Sequence, residues 1–319
     1  MKEEVIKKNE ANQRFDKYLK KRLPSATTGF LYKMLRKKNI LLNNAKAEGS
    51  EKLKEGDRVS FYFSDETLRT FSAQTREETW MTDSRYHVPE ILYETTDLIF
   101  LNKPAGLLSQ KAKEEDFSAN EQLLRYLFEK GDITKESLST FRPAICNRLD
   151  RNTSGVLIGG KTLSGLQEAA RLLKERTLEK TYHALVSGKM SEAMQTKAFL
   201  SKNPQTNRVT VTKQEHEGAF LIQTDYMPLE TGEDWTLVSI RLITGKTHQI
   251  RAHLEYLGYP IIGDPKYQGA GSQKPLKIPV RVKRQMLHAR ECTLPDGTIV
   301  TAPYPADFSK TLDALRKIG

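Results

Sequence analysis

The sequence predicts an α+β protein: a small basic α/β module followed by a larger domain on a mixed, mainly antiparallel sheet. Three observations predict it. Residues 1–63 hold the pattern of two short amphipathic helices and a hairpin, strand-like runs recur from residue 89 with short turns between several neighbours, and the charge is divided unevenly between the two regions. With 319 residues, the chain suits two domains at roughly 150 residues each.

The elements follow in order. Phe15, Tyr18, Leu19 and Leu23 fall at i, i+3, i+4 and i+8, so residues 14–22 are predicted helical, with Pro24 as the stop. Ser25, Thr27 and Thr28 offer N-caps for a second helix at 29–38, with Leu31, Met34 and Leu35 inward and Lys33, Arg36 and Lys37 outward. Ile40 and Leu42 read as a short strand before an Asn43-Asn44 turn, and Val59, Phe61 and Phe63 alternate as another after Glu55-Gly56-Asp57. Residues 64–88 are polar and without strong periodicity, and read as a linker. In the domain 89–319, strands are predicted at 91–101, 155–159, 181–187, 208–213, 219–226 and 236–243, and helices at 119–129, 163–174 and 248–257. Turns such as Thr231-Gly232-Glu233-Asp234 favour antiparallel neighbours over a regular βαβ repeat.

The charge says more by position than by size. Of a net +11, residues 1–60 carry +8 (16 Lys/Arg against 8 Asp/Glu), and residues 14–38 hold nine basic residues against the single acid Asp16. A folded basic patch of this kind is the footprint of nucleic-acid binding. Arg14, Lys17, Lys33, Arg36, Lys37 and Lys38 are its candidate contacts, against the plainer reading of a solvated lysine-rich face.

Several classes fall away. No apolar run approaches the roughly 18–20 residues of a membrane helix, and the N-terminus lacks a signal-like apolar stretch, so a cytoplasmic protein without membrane association is expected. Cys146 and Cys292 cannot form a disulfide framework or a four-thiolate zinc site. His248 and His253 are five apart, not the four that would place them on one helix face. Gly155 to Thr162 fits the P-loop expression GxxxxGK[ST] letter for letter, but no strand precedes it and Val156-Leu157-Ile158 inside it is itself strand-like. The expectation is therefore no metal and no nucleotide cofactor.

Three segments stand apart. Arg148-Leu149-Asp150-Arg151-Asn152-Thr153-Ser154-Gly155 places a carboxylate between two arginines in a turn-rich loop before an apolar strand. Lys180-Thr181-Tyr182 lies in a strand, with Tyr182 and Ala184 on one face. Thr244-Gly245-Lys246-Thr247-His248-Gln249-Ile250-Arg251 turns from a strand into a helix capped near Thr247. Singly, each has a bland reading: a structural ion pair, a core tyrosine, an ordinary helix start.

Together, and in this order, they resemble the catalytic domain of the RluA/RluC/RluD family of pseudouridine synthases, whose signature is Arg-Leu-Asp-x-x-Thr-Ser-Gly. The likeness extends through Asn102-Lys103-Pro104-Ala105-Gly106-Leu107, Gly263-Asp264 and Leu287-His288-Ala289. Residues 13–19, 32–43 and 56–59 resemble an S4 RNA-binding domain. The combination is most similar to the RluC branch, which acts on large-subunit ribosomal RNA. Asn147 stands where the family usually has His, and Lys246 where Arg is frequent.

The resemblance implies isomerisation of uridine to pseudouridine without a cofactor, on RNA, by a monomer. It implies Asp150 as the catalytic carboxylate, attacking C1′ or removing the C2′ proton, with Arg251 as its ion-pair partner. Tyr182 would pack on the target base and is a candidate to take the C5 proton. Arg148 would fill the space left by the flipped nucleotide.

Overall fold

The computed structural model describes residues 1–72, 79–83, 85–135, 137–203, 205–206, 208–268 and 278–318. The N-terminal module runs β1 (Lys2–Val5), α1 (Phe15–Arg22), α2 (Thr28–Arg36), β2 (Ile40–Leu42), β3 (Ala45–Lys46) and β4 (Arg58–Phe61). Its strands form an antiparallel sheet in the order β1-β4-β2-β3. Phe15, Tyr18 and Leu19 of α1 and Leu31, Met34 and Leu35 of α2 bury together with Val59 and Phe61, as the spacing of apolar residues predicts. The Thr27 hydroxyl caps α2 by accepting from the Phe30 N–H at 3.2 Å. Asn43 and Asn44 take φ of 51° and 61° and turn β2 into β3, a conformation that asparagine tolerates.

The linker expectation is corrected. Within 64–88, α3 (Asp65–Phe71) starts at Ser64, whose hydroxyl accepts from the Thr67 N–H at 3.2 Å. Leu68 joins the module's core, and the Phe71 ring lies 4.5 Å from that of Phe30. α4 (Thr79–Thr82) carries Trp80, buried against Phe128 with ring centroids 5.9 Å apart. Both helices are too short to show a period. Residues 73–78 and 84 of the predicted linker lie outside the described residues.

The larger sheet holds β5 (Glu90–Glu94), β6 (Leu98–Lys103), β7 (Ala144–Ile145), β8 (Ser154–Gly160), β9 (Glu179–Ser187), β10 (Met194–Lys202), β11 (Val209–Thr212), β12 (Phe220–Thr231), β13 (Trp235–Leu242), β14 (Leu287–Thr293) and β15 (Ile299–Thr301). Its helices are α5 (Ala119–Glu129), α6 (Leu163–Glu175), α7 (Gln249–Tyr256) and α8 (Ala306–Arg316). The strand order is β11-β10-β12-β13-β9-β14-β8-β6-β5, with β15 beside β14 and β7 beside β8. Among the described residues β14 and β8 alone run parallel, so the mixed, mainly antiparallel sheet is observed.

Strand alternation divides the core by face. Ile99 and Leu101 of β6 and Leu157 of β8 pack with α5, α7 and α8, while Leu98, Phe100, Val156 and Ile158 pack on the other side with Ala169 and Leu172 of α6. The P-loop look-alike is β8 itself, buried along its whole length. Thr162 caps α6, its hydroxyl accepting from the Gly165 N–H at 3.0 Å. A Cβ at Gly160 would stand 2.5 Å from Leu166 Cδ2, so glycine there serves close packing. Among the described residues, no helix is long and apolar enough to cross a membrane.

Candidate active site

Asp150 sits in the loop from β7 to β8, and the loop is fastened from several directions. Ser109 Oγ donates to the Leu149 carbonyl and accepts from the Leu149 N–H, both at 3.0 Å. The Lys103 ammonium, fully buried, donates to the carbonyls of Pro104, Leu107 and Arg151 at 2.9, 2.7 and 3.0 Å. Burial, with the nearby Arg284 charge, brings this amine down to about 7. Arg284 donates to the Asn152 carbonyl at 3.0 Å. Gly155, the second residue of β8, has φ of 111° and Ala289 O only 2.1 Å from where a Cβ would stand. Only glycine fits both the angle and the approach of β14.

Arg251 on α7 reaches across to this loop. Its Nη1 donates to Asp150 Oδ2 at 2.8 Å, while its Nε and Nη2 grip both oxygens of Asp264 at 2.7 and 2.9 Å. Side-chain exposure falls from 24% at Asp150 to 7% at Arg251 and 0% at Asp264. The guanidinium is thus braced from behind, and Asp150 is the member that faces the cleft. Burial works against the Arg251 charge, but the hydrogen bonds and charges of Asp264 and Asp150 outweigh it and hold the guanidinium above its ordinary value. The Tyr267 ring lies 5.1 Å from the guanidinium carbon, a further favourable contact.

Tyr182 on β9 is buried and lines the same cleft. Burial, reinforced by the Asp150 charge, pushes its phenol well above the ordinary tyrosine value, so it is neutral at neutral pH. The cap expected near Thr247 moves by one residue: His248 is the N-cap of α7, at φ of 54°, and the Gln249 side chain accepts the Lys246 N–H at 3.0 Å. His248 Nδ1 meets the Tyr267 hydroxyl at 3.0 Å and its Nε2 stands 3.9 Å from Asp150 Oδ2. That hydroxyl also accepts from the Val209 N–H at 3.0 Å, which ties His248 through Tyr267 to β11. Burial lowers this imidazole's pKa, which keeps it neutral.

The sequence thus brought Asp150, Tyr182 and Arg251 into one cleft and missed Asp264 and His248, which sit in its segments as a turn dipeptide and a helix start. Arg148 is exposed on the cleft wall. Asn147 accepts the Ile158 N–H at 2.8 Å and so splints the loop to β8. The cleft measures about 1220 Å³, and ten Lys/Arg line it against two acids, Asp150 and Glu179. Such a cavity suits a polyanion.

The basic residues of the N-terminal module separate into two groups. Arg14 is held by Asp16 at 2.8 Å, Arg22 by Glu4 at 2.7 Å, and Lys20 donates to the Pro24 and Ala26 carbonyls at 3.1 and 2.6 Å. Lys17, Lys33, Arg36, Lys37 and Lys38 are exposed, with no ion pair among the described residues. The geometry pairs the exposed Arg14 with Asp16 on its own module and leaves the other five without an ion pair among the described residues.

Fold and cleft together define an enzyme that holds a carboxylate against a braced arginine in a strongly basic pocket. The family described as RNA pseudouridylate synthase matches residues 97–256. An uncharacterized RNA pseudouridine synthase of Mycoplasma pneumoniae is 35% identical over 83% of this chain and 80% of its own length. The ribosomal large subunit pseudouridine synthase D of Nitrosomonas europaea is 31% identical over 98% of this chain and 88% of its own. The solved structure of human RNA pseudouridylate synthase domain containing 1 superposes with a TM-score of 0.55 at 27% identity, covering 74% of this chain and 90% of that one. The chain belongs to the RNA pseudouridine synthase family, isomerases that convert uridine to pseudouridine in RNA.

Proposed function

We propose that this enzyme modifies uridines of large-subunit ribosomal RNA, with Asp150 as the catalytic carboxylate. The observation that carries the reading is the Asp150–Arg251–Asp264 relay at the floor of the basic cleft. The large-subunit substrate is supported by the name of the Nitrosomonas europaea relative, which matches almost the full length.

Chemistry at C1′ and C5 requires the target nucleotide to leave its stack. In this reading Arg148, exposed at the cleft wall, fills the vacated space. Asp150, paired with Arg251, then attacks C1′ or removes the C2′ proton as the N1–C1′ bond breaks. The uracil turns and C5 bonds to C1′ as the Asp150–C1′ bond breaks or C2′ regains its proton, so that C5 loses a proton, N1 gains one and Asp150 is regenerated. Tyr182 packs on the base. Its raised phenol suits that role and counts against a phenolate base for the C5 proton.

In this reading the N-terminal module is an S4-like RNA-docking domain spanning residues 1–71, because α3 completes its core, and the catalytic domain begins at α4. Lys17, Lys33, Arg36, Lys37 and Lys38 supply salt-sensitive affinity, and the protein acts as a monomer in the cytoplasm.

Asp150→Asn tests the assignment: product falls below detection while RNA affinity stays within about threefold, the pattern of a group lost from the chemical step and not from uniform binding. An active Asp150→Asn enzyme refutes it. Product on transfer RNA alone would keep the chemistry and overturn the substrate, and tight binding without product on either RNA would favour a non-catalytic ribosome-assembly role.

A further inference from the structure

One cation of the cleft has no part in these steps. Lys180 stands on β9 two residues before Tyr182, so the two side chains leave the same face of the strand. It lines the main cleft and also the small pocket behind it, which Tyr182, Asn147 and Cys292 share. Its neighbours in the wall are engaged: Arg251 with two carboxylates, and Arg241 with Glu179 at 2.8 Å. The Lys180 ammonium makes no hydrogen bond or ion pair among the described residues, although it is largely sunk into the wall. Its Nζ lies 3.8 Å from where a Cβ of Gly245 would stand, so the glycine of the Thr-Gly-Lys turn leaves the space around the ammonium open.

A part-buried ammonium without an acceptor is costly to keep. Burial lowers its pKa, the direction expected of a cation short of partners. The cost is understandable if an acceptor arrives with the substrate.

We propose that Lys180 touches the flipped uracil and stabilises the negative charge the base takes up when the N1–C1′ bond breaks. The inference rests on the Asp150 reading. As that bond breaks, its electron pair leaves on uracil and spreads over N1, O2 and O4. C1′ is satisfied by a new bond to an Asp150 oxygen, or by loss of the C2′ proton to Asp150. Both routes release the same anion, and an ammonium donating to O2 or O4 favours it over the bonded ground state. When C5 bonds to C1′, the Asp150–C1′ bond breaks or C2′ takes its proton back from Asp150, the C5 proton is lost, N1 is protonated, and Lys180 is unchanged.

The test compares single-turnover rates at saturating unmodified rRNA, with RNA Kd, for the full-length wild type, Asp150→Asn, and the Met, Gln, Ala and Arg variants of Lys180. Lys180→Met and Lys180→Gln are expected to turn over about a hundredfold more slowly, the scale of losing one donor to a developing anion. Their Kd should stay within about threefold of wild type, because uniform binding is untouched. Lys180→Arg should recover part of the rate. Ethylammonium should accelerate Lys180→Ala where tetramethylammonium at equal ionic strength, which has no N–H, does not. Should the Met variant fail to fold, the Gln and Arg variants carry the same comparison.

A wild-type rate in Lys180→Gln would overturn the proposal. So would a loss confined to Kd with a salt slope shallower by about one, the mark of a phosphate contact. Wild type active, Asp150→Asn silent and Lys180→Gln normal would reject this inference alone. No product from wild type would reject the Asp150 reading and this inference with it.

Discussion

At the residue scale, the site is a chain of charges whose order sets their jobs. Asp264 has no exposure and both its oxygens on Arg251, so it orients the guanidinium; Arg251 in turn presents one nitrogen to Asp150. Arg251→Met should cripple turnover and also cost stability on the order of 3–5 kcal/mol, because Asp264 would be left buried without its partner. Kinetics with a urea melt checks both, and a stable, active variant contradicts the relay. Gly155→Ala should destabilise by at least about 3 kcal/mol, since a left-handed backbone and a clash with β14 add together. A wild-type melting temperature in that variant would contradict the fit. That Asp150, Tyr182 and Arg251 share one cleft was legible because their three segments follow in the order of the family pattern, though each alone has a bland reading. Asp264 was not, because Gly263-Asp264 reads as a turn and its partner lies 13 residues back in a helix.

At the element scale, the amphipathic pattern of α1 and α2 and the two-residue hairpin after Leu42 were legible because they are local. β1 was not: Lys-Glu-Glu-Val has no alternation, and the segment is a strand because β4 offers it a free edge. β10 alternates in burial but not cleanly in polarity, and β14 places His288 and Arg290 within a run that pairs on both sides. These depend on distant partners. α2 also carries the functional prediction of this scale. Lys33 and Arg36 lie on its exposed face and Lys37 at its end, free of ion pairs. Replacing all three with Ala should weaken rRNA binding and flatten its salt dependence by about 0.7–0.9 for each phosphate no longer neutralised. An unchanged slope would make the patch a solvated face. A deletion designed for the same purpose should end near residue 72, so that α3 leaves with the core it completes.

At the scale of the whole molecule, fold class and cleft position follow from pattern: strands of period two, short turns, and a carboxylate loop opening onto the one parallel junction among the described strands. The acid sensitivity was not visible, because the histidines look scattered along the chain. His183, His253 and His288 are all held at about 4, chiefly by burial. The unfolded chain binds these protons near pH 6.5, so between pH 6.5 and 4 it holds more of them than the folded one. Stability from these sites is therefore full above pH 6.5 and lost as the pH falls toward 4. For His288, with no exposure, the contribution is on the order of 3 kcal/mol at 1.36 kcal/mol per pH unit. Urea melts at pH 7.5 and pH 5 should show the acid sample clearly weaker; equal stability would contradict it.

The central claim is that Asp150 drives pseudouridine formation in large-subunit ribosomal RNA. Pseudouridine mapping on unmodified large-subunit rRNA and on bulk tRNA, with wild type beside Asp150→Asn, tests it most directly. The account predicts new pseudouridines at discrete rRNA positions with wild type alone. Pseudouridines made equally by Asp150→Asn, or none on either RNA by a wild type that binds tightly, would contradict it.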